Sequence, residues 1–164
     1  MKIRLIKSFL AALLLGFLIC STGAQTTVFL VRHAEKSDDP AVKDDPALST
    51  AGQERAKALA KVLEHADITA IYVSDRKRTQ QTARPLAEKL KLTPVILSKA
   101  DTELLPAKLK SATGNVLIVG HSNTVPQLIE ALGLPKIAIG DNDYDNLFVV
   151  LPGEKPRLIR LHYQ

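Results

Sequence analysis

From Thr26 onward, short apolar runs alternate with segments whose apolar residues recur every three or four positions, the pattern of strands interleaved with amphipathic helices. Residues 26–31 (TTVFLV) predict a first strand. Thr50 and Gln53 have capping-box spacing, and Ala56, Leu59, Ala60 and Leu63 then share one face, which predicts a helix ending near Glu64. Residues 70–73 (AIYV) read as the second strand, and a second helix is predicted over 77–90 with Ala83, Leu86, Ala87 and Leu90 inward and Pro85 as a weakening or kinking residue. A short edge strand is expected over 94–97, a weak helix over 103–110, and a central strand over 116–119 (VLIV), which is continuously apolar and rich in β-branched residues. A further helix runs from Val125 to about Leu132 and stops at Gly133. Residues 147–151 and 158–161 flank Pro152-Gly153-Glu154-Lys155-Pro156, a hairpin signal. The alternation predicts an α/β domain, a three-layer α/β/α sandwich around a mostly parallel sheet. In such sheets, sites collect beyond the carboxyl ends of the strands.

The first 24 residues break this pattern. Lys2, Arg4 and Lys7 precede an apolar run over 9–19 broken only by Gly16, and Ser21-Thr22-Gly23-Ala24 supplies small residues, the layout of a secretory signal cleaved after Ala24. The run is about half the roughly 20 residues needed to cross a bilayer, so no stable membrane anchor is expected. Cys20 raises the alternative of a lipoprotein, but Ile19 stands where a small residue ordinarily precedes an acylated cysteine, and ordinary cleavage is favoured. The expected mature protein is therefore residues 25–164 as one domain, exported to the periplasm or beyond. Losing three cations and no acid lowers the net charge from +5 to +2, which gives little support for a nucleic-acid partner. The only cysteine leaves as well, excluding a disulfide, a thiol nucleophile and a cysteine zinc site.

Three predicted strands end in groups suited to a phosphate: Arg32-His33, the segment 74–78 ending in Arg78, and Gly120-His121-Ser122-Asn123. Parallel strands place all three at one edge. An arginine offers a planar fork of donors matched to phosphoryl oxygens, and a neutral histidine can attack phosphorus. Singly, each is more often structural or solvated; together they can enclose one phosphoryl group. Arg76 and Lys77 compete with Arg78 on charge alone but read as surface residues, as do His65 and His162.

The motifs themselves resemble those of the histidine phosphatase superfamily, also called phosphoglycerate-mutase-like. Val31-Arg32-His33-Ala34-Glu35-Lys36 is similar to its Arg-His-Gly signature, with alanine for glycine, and Leu48-Ser49-Thr50-Ala51-Gly52-Gln53 to the opening of its first helix. Ser74-Asp75-Arg76-Lys77-Arg78-Thr79-Gln80-Gln81-Thr82-Ala83 and Val119-Gly120-His121-Ser122-Asn123-Thr124-Val125-Pro126 resemble its later two motifs, in the same order along the chain. The resemblance implies the family's α/β fold, a nucleophilic His33 that becomes phosphorylated, and Arg32, Arg78 and His121 as ligands of the phosphoryl oxygens. It implies a small phosphorylated substrate and neither metal nor cofactor. Ala34 implies that its backbone has no need of a glycine-only conformation. The family's phosphatases commonly place a carboxylic acid after the third strand to protonate the leaving group. Asp101 is the expected counterpart because it comes sooner after that strand than Glu103; the remaining alternative is that neither serves.

Other readings compete with this one. Gly120-His121-Ser122-Asn123-Thr124 partly imitates the nucleophile elbow of serine hydrolases, with Ser122 attacking and Asp141, Asp143 or Asp145 and His162 as partners. That reading lacks the motif's last glycine and leaves Arg32, His33 and Arg78 without a purpose. A non-catalytic binder of phosphate or of a phosphorylated ligand would need the arginines but no nucleophile. A metal held by His33 and His121 is opposed by the nearby arginines, and a mutase would need insertions to keep water from a phosphorylated intermediate. Export directs attention to extracytoplasmic phosphate esters, and the short chain is also similar in size to small phosphohistidine phosphatases.

Overall fold

A computed structural model describes residues 26–42, 44–110 and 112–164. The predicted leader, residues 1–24, lies outside the described residues. Six strands and four helices follow in the order β1 (Val28–Arg32), α1 (Thr50–Leu63), β2 (Ile68–Ser74), α2 (Lys77–Leu90), β3 (Val95–Leu97), α3 (Lys99–Lys110), β4 (Asn115–Gly120), α4 (Thr124–Ala131), β5 (Asn146–Leu151) and β6 (Arg157–His162). No helix among the described residues is long and apolar enough to cross a membrane.

The strands form one sheet in the order β3-β2-β4-β1-β5-β6. Strands β3, β2, β4 and β1 are parallel neighbours, but β5 pairs antiparallel with β1 and with β6. The expected mostly parallel sheet is thus corrected to a mixed one, within the expected α/β class. The reason lies in the connections. Residues 152–156 form the predicted hairpin, which forces β6 to run against β5. Ahead of β5, residues 132–145 climb back to the carboxyl end of β1, so that Leu147 enters opposite Val31. That climb delivers residues 140–144 over the carboxyl edge of the sheet.

Strand alternation divides the core into two layers. Val28 and Leu30 of β1, with Val116 and Ile118 of β4, pack with Leu105 and Leu109 of α3 and Val125, Leu128 and Ile129 of α4. Val31, Leu117 and Val119 face the other way, against Leu59 and Leu63 of α1 and Ala83 and Leu86 of α2. Strands β1 and β4 are covered on both faces, which is why residues 28–31 and 116–119 are continuously apolar rather than alternating.

Two local differences from the sequence reading have clear causes. The cap of α1 is Ser49, whose hydroxyl accepts from Gly52 N–H at 3.1 Å, one residue before the expected Thr50. Helix α3 begins at Lys99, four residues earlier than expected, because Ser98 and Asp101 cap it reciprocally: Asp101 N–H donates to Ser98 Oγ, and the Asp101 carboxylate accepts from Ser98 N–H and Oγ–H. Pro85 lies inside α2 without ending it. Burial of Thr79, Thr82, Ala83, Leu86 and Ala87 along that helix offsets the lost backbone bond.

Candidate active site

His33 is the first residue after β1, and its backbone N–H donates to Gly120 O at 2.9 Å, extending the parallel ladder between β1 and β4. This register brings His33 beside His121, the first residue after β4; the ring centroids are 5.3 Å apart at 65°. The His33 side chain is 6% exposed, and its Nδ1 lies 2.7 Å from Ala34 O. A carbonyl only accepts, so Nδ1 carries the proton and Nε2 keeps its lone pair. Burial lowers the His33 pKa from 6.5 to about 4; the Ala34 carbonyl opposes this, while Arg78, His121 and Arg32 reinforce it. The ring is therefore neutral at pH 7.

His121 is also held near 4, chiefly by burial and then by Arg78 and Arg76. Its Nε2 is 3.0 Å from Ser74 Oγ, at the end of β2, and its backbone N–H donates to Thr124 Oγ1 at 2.8 Å. Ser74 Oγ in turn lies 2.9 Å from Thr79 Oγ1 and accepts from Arg76 N–H at 3.3 Å, so the imidazole is oriented by a network fixed to the start of α2.

Both arginines come from the same edge. Arg32 ends β1, is 8% exposed, and donates from Nη1 to Gly140 O at 2.7 Å and Asp141 O at 2.8 Å. Its guanidinium carbon stands 4.1 Å from the centroid of the Tyr144 ring. Arg78 enters on the first turn of α2 and lies 3.9 Å from Asp45. The same carboxylate accepts from Lys77 N–H at 3.0 and 3.2 Å, capping a helix that its own Arg76 leaves uncapped. The Nε atoms of Arg32 and Arg78 are both buried and have no partner. Two cationic N–H donors without acceptors carry a desolvation cost that an anion's oxygens would relieve.

The frame around these groups is tied across sequence-distant elements. Thr82 of α2 is fully buried; its hydroxyl accepts from Ala34 N–H at 2.9 Å and donates to Arg78 O at 2.7 Å, joining the turn after His33 to the helix that carries Arg78. Ala34 is absent from the positive-φ positions, which among the described non-glycine residues are Asp67 and Lys91, so alanine fits there as expected. Gly52 is needed for a different reason: a Cβ would stand 2.2 Å from Glu35 O, the carbonyl that accepts from Ser49 N–H at 2.9 Å. Glu35 itself takes three bonds from Arg55, at 2.7, 2.9 and 3.0 Å.

Arg32, His33, Arg78 and His121 are thus brought together. Asp101 is not: its carboxylate is bound to Ser98 in the cap of α3, and those bonds hold its pKa below the ordinary carboxylate value. A general acid needs the opposite shift, so the capped carboxylate is not poised as the proton donor expected of Asp101. Glu103 is exposed on α3. Ser122 has no hydrogen bond to His162, whose Nδ1 lies 3.0 Å from Asp145 on the far side of β5. Arg76 and Lys77 are exposed, as expected. Ser74, Asp45 and Tyr144 are the site residues that sequence reasoning missed. Ser74 alone left a signal, since it opens a quoted motif and directly follows a predicted strand.

The two depressed histidines link stability to pH. Between 6.5 and 4 the unfolded chain takes up protons at both positions while the folded one does not, so their contribution is complete above about 6.5 and is lost as the pH falls toward 4. For His33 alone the loss is on the order of 3 kcal/mol at most. Urea unfolding across this range should show the decline, and His33→Asn should flatten part of it. An unchanged slope in that variant would contradict the assigned shift.

Comparison with known proteins gives a consistent picture. Residues 28–105 match the sequence profile of the histidine phosphatase superfamily, branch 1. No protein with a curated description matches the chain. Among solved structures, the protein histidine phosphatase SixA complexed with tungstate superposes with a TM-score of 0.68 at 22% identity, over 83% of this chain and 96% of that one. The alpha-ribazole phosphatase from Shigella flexneri gives 0.69 at 17% identity, over 83% and 96%. A mycobacterial glucosyl-3-phosphoglycerate phosphatase complexed with VO3 gives 0.62 at 18% identity, over 85% and 98%. At these identities the shared property is the fold.

Proposed function

Since the chain belongs to the histidine phosphatase superfamily, we propose that it is a phosphatase that hydrolyses a small phosphorylated substrate through a phosphohistidine on His33. The observation that carries this reading is the neutral, Nδ1-protonated His33 beside two arginines with unpartnered buried Nε–H groups. Nε2 attacks phosphorus and the bond to the leaving group breaks; water then attacks the phosphohistidine and releases phosphate. Negative charge spread over the equatorial oxygens is met by Arg32, Arg78 and His121, and the phosphoryl dianion favours on His121 the proton that burial and the nearby arginines oppose. The positive charge comes from side chains, so the reaction runs without a metal.

The leaving group is the finer part of the proposal. With Asp101 bound in a helix cap, the substrates favoured are those that need no acid from the protein: aryl phosphates, whose phenolate departs unaided, and phosphoramidates such as phosphohistidine, whose nitrogen base takes its proton from solvent and departs neutral. Export with cleavage after Ala24 belongs to the same reading and is checked by the mass of the protein recovered from its own cells.

One experiment tests the core of the proposal. Radiolabelled substrate mixed with protein in EDTA should leave acid-labile, base-stable label on the chain, absent from His33→Asn. Loss of labelling in chelator, restored by a divalent ion, would instead favour metal-assisted hydrolysis. Tight phosphate binding with no label and no turnover would favour the non-catalytic binder.

A further inference from the structure

The segment 140–144, which the climb toward β5 delivers over the sheet edge, touches the phosphoryl-binding residues on one side and is latched to the rest of the fold on the other. Both hydrogens of Arg32 Nη1 have a carbonyl, Gly140 O at 2.7 Å and Asp141 O at 2.8 Å, and the guanidinium carbon stands over the Tyr144 ring, 4.1 Å from its centroid. A guanidinium has two forks: one shared by Nη1 and Nη2, the other by Nε and Nη2. With Nη1 consumed, the fork left for a phosphoryl group is the Nε and Nη2 edge, and Arg32 Nε is the buried donor without a partner. We infer that residues 140–144 are the positioning element of Arg32, with Tyr144 setting the plane of the guanidinium and the two carbonyls selecting which edge meets the phosphoryl oxygens.

The segment is built to hold that geometry. Asp143 accepts from Gly140 N–H at 2.9 Å through its carboxylate, and its own N–H donates to Gly140 O at 3.1 Å, closing a tight turn around the first carbonyl that Arg32 uses. Arg160 of β6 stands 4.0 Å from the same carboxylate and donates to Asn146 Oδ1 at 2.7 Å, fixing the point where the segment enters β5. Tyr144 also lies 6.2 Å from the His33 ring, so one side chain borders both the nucleophile and the arginine that must stay in register with it. A misplaced guanidinium costs most where the charge is spread in the plane of the three equatorial oxygens, that is, in the transition state.

The inference rests on the phosphatase reading, and the test separates the two. Turnover of an aryl phosphate and inhibition by orthovanadate and by inorganic phosphate are measured for Tyr144→Leu and Tyr144→Phe, with thermal unfolding as a control. Tyr144→Leu should lower kcat about tenfold and weaken vanadate by a similar factor, with KM and phosphate inhibition moving less than about threefold. Tyr144→Phe, which keeps the ring, should recover most of the loss. In an Arg32→Lys background, Tyr144→Leu should cost little more, because an ammonium has no plane to orient. If Tyr144→Leu does not fold, Asp143→Ala, which opens the turn at Gly140, carries the same expectations. Wild-type rates in a folded Tyr144→Leu, or an undiminished further loss in the Arg32→Lys background, would overturn the positioning role while leaving the phosphatase reading intact. A wild-type protein inert toward both aryl phosphates and phosphoramidates would overturn the phosphatase reading itself.

Discussion

His33→Asn should lower turnover by on the order of a thousandfold or more while leaving the fold and phosphate binding in place. Asparagine can still donate to Ala34 O, the bond that seats the histidine, but it offers no lone pair for phosphorus. What remains is a cage of cationic donors around a phosphoryl group that only water can attack, and sites stripped of their nucleophile retain only the small rate enhancement of such a cage. His121→Asn and Arg78→Ala should each cost about a hundredfold, as loss of one preorganised donor does, and should weaken vanadate as well. The difference between the variants is therefore diagnostic: vanadate affinity survives in His33→Asn and falls in the other two. Equal rates for wild type and His33→Asn would remove the nucleophile assignment.

The same pair of histidines sets the low-pH behaviour of the reaction. With His33 held near 4 by burial, the attacking nitrogen stays unprotonated through mildly acidic solution, unlike an exposed histidine of ordinary pKa. Its neutrality follows from burial at the end of a fully covered strand, and its free lone pair on Nε2 from the Ala34 carbonyl that holds the proton on Nδ1. Acid stability is lower in consequence, an instance of a functional site held against the preference of its own side chain.

Much of this was legible in the sequence because it is written in local periodicity. The buried face of Lys77–Leu90 fixes both ends of α2, and the β-branched run at Val116 to Val119 identifies β4 as a central strand, so the meeting of Arg32-His33, Arg78 and His121 at one edge follows from parallel pairing. The antiparallel entry of β5 was not legible, since nothing in residues 132–145 states how far they climb before pairing begins. Tyr144 and the carbonyls of Gly140 and Asp141 depend on that climb, and carbonyl groups carry no side-chain signature at all. Asp45 reaches Lys77 across 32 positions, beyond any local pattern. At Asp101 the unread signal was local: Ser98 and Asp101 have the spacing of a reciprocal cap, which marks a helix start.

That cap leads to the second large effect, a selectivity for leaving groups. Without a general acid, cleavage of an alkyl phosphate must expel an alkoxide, whereas a phenolate, or an imidazole whose second ring nitrogen has taken a proton from solvent, leaves at far lower cost; general acids contribute on the order of a hundredfold to ten-thousandfold in such reactions. The protein should therefore hydrolyse an aryl phosphate or a phosphoramidate at least about a hundredfold faster, in kcat/KM, than an alkyl phosphate of similar size. Asp45, the carboxylate beside Arg78, is already engaged as an acceptor by Lys77 N–H and lies 3.9 Å from the Arg78 guanidinium. Asp101→Asn should leave the ratio between the substrate classes where it is, because its carboxylate serves Ser98 and the end of α3; the change expected there is a lower melting temperature from the weakened cap. If Asp101→Asn instead slowed the alkyl substrate by two orders of magnitude and spared the aryl one, the carboxylate would have to leave Ser98 during turnover and act as the acid after all. Near-equal rates for alkyl and aryl substrates in the wild type, undisturbed by Asp101→Asn, would place a proton donor elsewhere at the edge, and the same comparison in Asp45→Asn would then identify or exclude the carboxylate closest to Arg78.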